Sequence, residues 1–320
     1  MDILITGSVA YDYLMTFPGQ FKEHILPDQL ESISLSFLVD SLNRRRGGIA
    51  ANIAYNLALL GVRAKVFATI GEDYKEDRDW LESQGVDTSA MTIIPDTFTA
   101  SFFVTTDNAN AQIASFYPGA MAHAAELSLK DLDGRPPDLV IVSPNDPTAM
   151  NQYIAECKHL KWPYIYDPSQ QVVRVDGETL REGIDGENSL FANEYEFSLI
   201  KKKTGMNLDD IKEQVGFVVI TQGKNGASIY LEDKEYHIPA VPTKNIVDPT
   251  GGGDAFRGGF LAGYSRGWDW EICGKIGSLA ATICLESDGP QGHSYERENF
   301  ISRYQEHFED FEQLNEIMKI

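Results

Sequence analysis

The stretch DPTGGGDAFRGGFLAG, residues 248–263, decides how this chain is read. Gly251, Gly252 and Gly253 stand between Thr250 and Asp254 and open an amphipathic helix. Glycine lets a backbone turn sharply and approach a ligand closely. The amides of such a loop and of the first helical turn point at one spot, where hydrogen bonds and the helix dipole favour an anion. A phosphoryl group in transfer carries the negative charge that such a nest stabilises. Asp254, at the same helix start, is within reach of an attacking hydroxyl. The plainer alternative is a glycine-rich turn with Asp254 as an N-cap, but a cap does not need three consecutive glycines.

Outward from this loop, short apolar runs alternate with helical spacing. Ile3–Thr6, Lys65–Ile70, Leu139–Val142, Tyr164–Tyr166, Leu190–Ala192 and Phe217–Thr221 read as buried strands. After Gly47-Gly48, Ile49, Ile53, Leu57 and Leu60 recur at helical spacing. Further helices are expected over Lys75–Gln84, Thr148–His159, Gly253–Arg266, Trp270–Ser287 and Glu296–Phe311. This alternation implies an α/β fold with a mostly parallel central sheet covered on both faces. Antiparallel-looking pieces interrupt it. Ile33–Leu38 alternates apolar residues with Ser, and Thr99–Thr105 and Ala111–Tyr117 flank a polar turn. Ser228–Leu231 and Glu235–Ile238 form a second hairpin. The expected organisation is one domain over residues 1–320 with a discontinuous β lid from about 12–46 and 97–118.

Composition narrows the partners. The 320 residues include 48 acidic and 27 basic side chains, a formal charge of -21. Nucleic-acid binders present a basic face, so a nucleic-acid partner is not expected, nor is an anionic membrane surface. A protein this acidic that handles a phosphate must build local positive potential from amides, helix N-termini, a few arginines and bound metal. Cys157, Cys273 and Cys284 form no metal spacing and read as buried free thiols of a reducing cytoplasm. The opening MDILITGSVAYDYL reads as a strand rather than a targeting segment, and no apolar run is long enough to span a bilayer.

Three more motifs carry chemistry only in combination. Gly47-Gly48 before a helix puts Asn52 one turn later, although such a pair is most often a plain turn. Asn193 and Glu196 stand at i and i+3 and share a helix face, or form an ordinary capping box. Thr221-Gln222-Gly223-Lys224-Asn225-Gly226 follows a strand, as a ligand loop or a hairpin turn would.

With these four motifs in this order, the sequence resembles the ribokinase-like (pfkB) family of carbohydrate and nucleoside kinases. The family pattern Asp-Thr-x-Gly-Ala-Gly-Asp stands here as Asp248-Pro249-Thr250-Gly251-Gly252-Gly253-Asp254. Pro replaces the first Thr and Gly the central Ala, changes that keep the loop plausible. The resemblance implies a three-layer α/β/α fold with Asp254 as catalytic base, the Gly251, Gly252 and Gly253 loop beside it, and the amides of Gly252, Gly253 and Asp254 as anion hole. It implies ATP contacts from Asn193, Thr221, Gly223, Gly226, Thr250, Gly251 and Gly253. Magnesium would be organised through water by Asn193 and Glu196, and potassium activation would involve the backbone around Asp248 and Ser287.

The runs GSVAYDYLMTFPGQF, SLSFLVD, AQIASFYPGAM and DPSQQ are similar to the bacterial adenosine kinases of that family. This likeness implies 5'-phosphorylation of adenosine to AMP. Asp12, Asn52 and Gly48 would hold the ribose, Ser8 and Ser36 the purine edge or ribose, and Phe102 and Phe116 the two faces of the base. Gln170 and Gln171 would approach the purine, and Arg174 the transferred phosphate. A terminal-strand carboxylate such as Asp12 suits a ligand crevice, and aromatic faces suit a base. Kinases of a free sugar of the ribose or fructose type, or of another nucleoside, are the alternatives. A non-catalytic nucleoside-binding protein on the same fold is a third. A homodimer through the lid strands is compatible with an exposed sheet edge.

Overall fold

A computed structural model describes residues 1–25, 34–186, 188–309 and 313–314. The chain alternates as expected. The first strands and helices are β1 (Ile3–Thr6), β2 (Ala10–Thr16), β3 (Ser41–Gly47), α1 (Ile49–Leu59), β4 (Lys65–Gly71), α2 (Lys75–Ser83) and β5 (Met91–Ile94). Then come β6 (Ala100–Thr106), β7 (Gln112–Tyr117), β8 (Leu139–Val142), α3 (Pro147–Leu160), β9 (Tyr164–Tyr166), α4 (Gly177–Ile184) and β10 (Asn188–Asn193). The remainder is α5 (Glu194–Thr204), α6 (Leu208–Lys212), β11 (Val215–Thr221), β12 (Ala227–Tyr230), β13 (Glu235–Ile238), α7 (Gly252–Tyr264), α8 (Trp270–Leu285) and α9 (Arg297–Gln305).

Nine strands form one sheet in the order β13-β12-β11-β10-β9-β8-β1-β4-β5. Its pairs are parallel from β11 across to β5, and β12 and β13 add an antiparallel edge. β1 and β8 are buried along their whole length, as strands covered on both faces are. Alternate side chains enter different layers. Leu139 and Ile141 join the core under α1, α7, α8 and α9, while Val140 and Val142 join that under α3, α4, α5 and α6. Successive strands run to one side of β1 through β8 and to the other through β4, and such a switch point opens a crevice at the carboxyl ends of the strands.

A second sheet, β3-β2-β6-β7, stands over that crevice. Its outer pairs are antiparallel, but β2 and β6 run parallel. The strand expected over Ile33–Leu38 is not part of it. Ile33 lies outside the described residues, and residues 34–39 take no regular structure. The alternation there reflects an aromatic cluster instead. Phe37 packs 5.0 Å from Phe17 and 4.9 Å from Phe21, ring centre to ring centre. The strand leading into the first glycine pair is the arginine-rich Ser41–Gly47. The last helix ends at Gln305, and Phe311 lies outside the described residues. The three cysteines are buried and unpaired, and burial raises each thiol to about 12. Among the described residues no helix is long and apolar enough to cross a membrane.

Candidate active site

The glycine loop and its helix are held from both sides. At Gly258 a side chain would run into Asn56 of α1, and at Gly259 into the backbone of α8. These bare positions let α7 lie close between its neighbours. Gly251, with φ +82°, is the N-cap of α7 and packs against Pro290. A non-glycine residue there would be strained and would collide with that proline. The amides of Gly252, Gly253 and Asp254 start the helix and have no acceptor within it. Asn52 closes the approach from α1: its Nδ2 donates to Asp254 Oδ2 at 2.8 Å.

Two cavities meet at this loop. One, of about 600 Å³, is lined by Ser8, Asp12, Gly48, Asn52, Phe102, Phe116, Gln170, Gln171, Arg174, Thr250 and Asp254. The other, of about 610 Å³, is lined by Thr221, Gly223, Gly226, Gly252 and Gly253, with Val241, Ile246 and Phe256 as its apolar wall. Every expected substrate residue except Ser36 therefore faces the first cavity. Ser36 is exposed on the irregular segment and is not among the residues lining it.

The second sheet presents a single row to the first cavity. Asp12 pairs with Arg45 on one side and with Phe102 on the other, and Phe102 pairs with Phe116. Among the described residues neither Phe102 nor Phe116 packs against another aromatic ring. The opposite face of the sheet is filled by Tyr13 stacked on Phe103, 4.7 Å between ring centres. The two cavity-facing rings thus do not serve as the sheet's own core. Gly48, with φ +88°, lies so close to the backbone of Ser8 and Ala10 that no side chain fits. Ser8 also accepts at its Oγ from the Ile49 amide, 3.4 Å away.

Carboxylates dominate the electrostatics. Burial pushes Asp12 up to about 6, Asp248 and Asp254 add to the rise, and Arg45 opposes it. Burial also raises Asp254, while Arg257 and the Asn52 hydrogen bond pull it back and Glu196 pushes it up. Arg257, one turn along α7, is fully enclosed with Asp167. Its Nη2 lies 2.6 Å from Asp167 Oδ1 and its Nε 2.5 Å from Oδ2. Burial raises Asp167 and the guanidinium opposes it. Asn193 and Glu196 form a capping box: each side chain accepts from the other's amide at 2.8 Å. Glu196 also accepts from Ser169 Oγ at 3.2 Å. Both Glu196 oxygens are engaged, and the described residues contain no group of three His, Cys, Asp or Glu able to hold a metal. The pair fits a magnesium ion held through water rather than by direct ligation. Asp248, beside which potassium is expected, is already neutralised by the Arg45 guanidinium, which also reaches Asp288.

Arg45, Arg257, Asp167 and Gln291 were not singled out from the sequence. Arg257 stands inside the glycine motif, three residues after Asp254, so its spacing was visible. Arg45 and Gln291 act across 203 and 239 residues of chain, and no local pattern marks them.

A profile described as the pfkB family of carbohydrate kinases matches residues 8–297. A nucleoside kinase of Methanocaldococcus jannaschii is 30% identical over 307 residues, 95% of this chain and 97% of that one. The nucleoside kinase of Burkholderia thailandensis in complex with inosine is 38% identical with a TM-score of 0.82, covering 96% of this chain and 98% of that one. The same enzyme in its ADP-inosine complex is 40% identical with a TM-score of 0.83, covering 96% of each chain.

Proposed function

This chain belongs to the pfkB family of carbohydrate kinases, and from that premise we propose that it transfers the γ-phosphoryl group of ATP to the 5'-hydroxyl of a purine nucleoside, adenosine foremost. The observation that carries the proposal is the meeting of two cavities at one glycine loop, with Asp254 facing the first and the Gly252 and Gly253 backbone facing the second. A hydroxyl in one and a triphosphate in the other would meet at the loop.

Asp254 would take the proton as the 5'-oxygen attacks the γ-phosphorus in line. The raised proton affinity that burial confers suits a base, and Arg257 and Asn52 favour its ionised form. The amides of Gly252, Gly253 and Asp254 would receive the charge that develops on the transferring group. Arg174 would reach the same group from the first cavity. Asn193 and Glu196 would hold the waters of a magnesium ion, which would supply charge neutralisation to the nucleotide's phosphates. The second sheet would act as a lid that excludes water.

The unstacked faces of Phe102 and Phe116 favour a base over a free sugar. Gln171 stands in the wall of the first cavity with its Nε2 donating to the Asn145 carbonyl at 2.9 Å. The preference for adenosine rests on the likeness of the DPSQQ and AQIASFYPGAM runs to bacterial adenosine kinases. The inosine complex of the Burkholderia relative supports the wider purine class. We also propose that two copies pair through the second sheet.

The test is ADP release measured with adenosine, inosine, cytidine and ribose, for the native enzyme and for Phe102→Ala. Purine nucleosides are expected to lead, with Phe102→Ala raising their KM roughly 5–100-fold, the cost of one lost stack, and leaving ribose unaffected. Ribose turnover above that of every nucleoside would reject the assignment.

A further inference from the structure

The loop after α8 lies behind the site. Pro290 packs on Gly251, the His293 carbonyl accepts from Tyr55 at 2.5 Å, and His293 Nε2 lies 2.9 Å from Asn56 Oδ1. Between them Gln291 is buried, and its Nε2 donates to Asn52 Oδ1 at 2.8 Å. Asn52 in turn donates to Asp254 at 2.8 Å.

An asparagine amide has two ends of nearly equal shape, so packing alone does not decide which end faces a neighbour. Here the partners decide. A carboxylate accepts only, so it needs the Asn52 nitrogen. The Asn52 oxygen then faces Gln291 and needs a donor. Gln291 supplies one, while its own Oε1 stays buried without a partner. The reverse arrangement would satisfy Gln291 no better and would set an oxygen against Asp254.

We propose that Gln291 is a positioning residue for phosphoryl transfer: it holds the Asn52 amide with its nitrogen toward Asp254, and so aims the carboxylate at the nucleoside hydroxyl. The inference rests on reading Asp254 as the base. The groups that otherwise act on Asp254 are Arg257 on its own helix, Glu196 on α5, Asp167 after β9, Asp12 on β2 and Cys284 on α8. None of them is altered by replacing Gln291.

Two variants separate orientation from charge. Gln291→Met keeps the volume and removes the donor. Gln291→Glu offers Asn52 an acceptor and turns the amide around. The Asn52 hydrogen bond favours the ionised carboxylate, so its loss makes Asp254 harder to ionise, and the acid limb of the kcat–pH profile moves to higher pH in both variants. Turnover of adenosine at neutral pH is expected to fall roughly 10–100-fold in Gln291→Met, the cost of a misaimed group, and further in Gln291→Glu. A merely structural role would lower turnover without moving the limb. Thermal melts identify any variant that does not fold, and Gln291→Met alone then suffices. Asp254→Asn is the control. If it is inactive while the acid limb of Gln291→Met coincides with that of the parent, the Gln291 inference is wrong and the base assignment stands. If Asp254→Asn turns over normally, the base assignment itself fails.

Discussion

Two acidic side chains of the site face the same cavity and are expected to answer to different measurements. Asp254 stands in the first helical turn after the glycine loop, and its replacement by Asn keeps the shape and removes the proposed base. kcat is expected to fall by roughly 10²–10⁴ with nucleoside KM nearly unchanged; steady-state kinetics of Asp254→Asn decide this. Asp12 lines the first cavity, and if it holds the ribose as proposed, its ionised form is the one that would accept from two hydroxyls. Burial holds its pKa at about 6. The carboxylate is ionised above that value and protonated below it, so nucleoside KM should rise as pH falls through about 6. Titrating KM between pH 5 and 8, with Asp12→Asn as reference, checks the sign; a flat profile would exclude Asp12 from the binding step. Both residues were legible from the chain because each closes a local pattern, a glycine loop or a buried strand. Arg45 and Gln291 were not, since their partners Asp248 and Asn52 are distant in sequence and only the packing of β3 and the loop after α8 unites them.

At the level of elements, the central sheet was readable because its strands are apolar runs bounded by turns. The second sheet was harder. Its strands are half-exposed, so their residues are chosen by the cavity as much as by the sheet. β3 reads SLNRRRG, a charged run rather than a strand, because Arg44 and Arg46 face Asp77 while Arg45 faces Asp248. In contrast, Ile33–Leu38 has the alternation of a strand, yet Phe37 serves an aromatic cluster. β7 is exposed along its whole length, with Ile113 42% and Phe116 48% accessible, and it forms the edge of the sheet. Long apolar edges are templates for pairing. The native protein is therefore expected to sediment as a dimer, and Ile113→Lys to shift it toward monomer. A native monomer at all concentrations tested would exclude pairing through this sheet.

Across the whole molecule, the alternation of apolar runs and helices was enough to anticipate a mostly parallel sheet with a ligand crevice, because strand ends in a parallel sheet share one edge. Which side chains would face one another there was not, since that depends on how the second sheet leans over the first. One consequence concerns encounter rather than chemistry. Asp12, Asp167, Glu196, Asp248 and Asp254 converge near the crevice of a chain whose formal charge is -21. Among the described residues Arg45 pairs with Asp248 and Arg257 with Asp167, and Arg174 and Lys224 line the two cavities. These few cations do not offset the formal charge of the chain, whose long-range field repels an approaching anion. ATP has to diffuse against that field, and the uncharged nucleoside does not. Added salt shortens the reach of the field, to about 10 Å at 0.1 M. The second-order rate constant kcat/KM for ATP should consequently rise between low and moderate ionic strength, while that for the nucleoside stays level, so that salt tunes which of the two substrates arrives first.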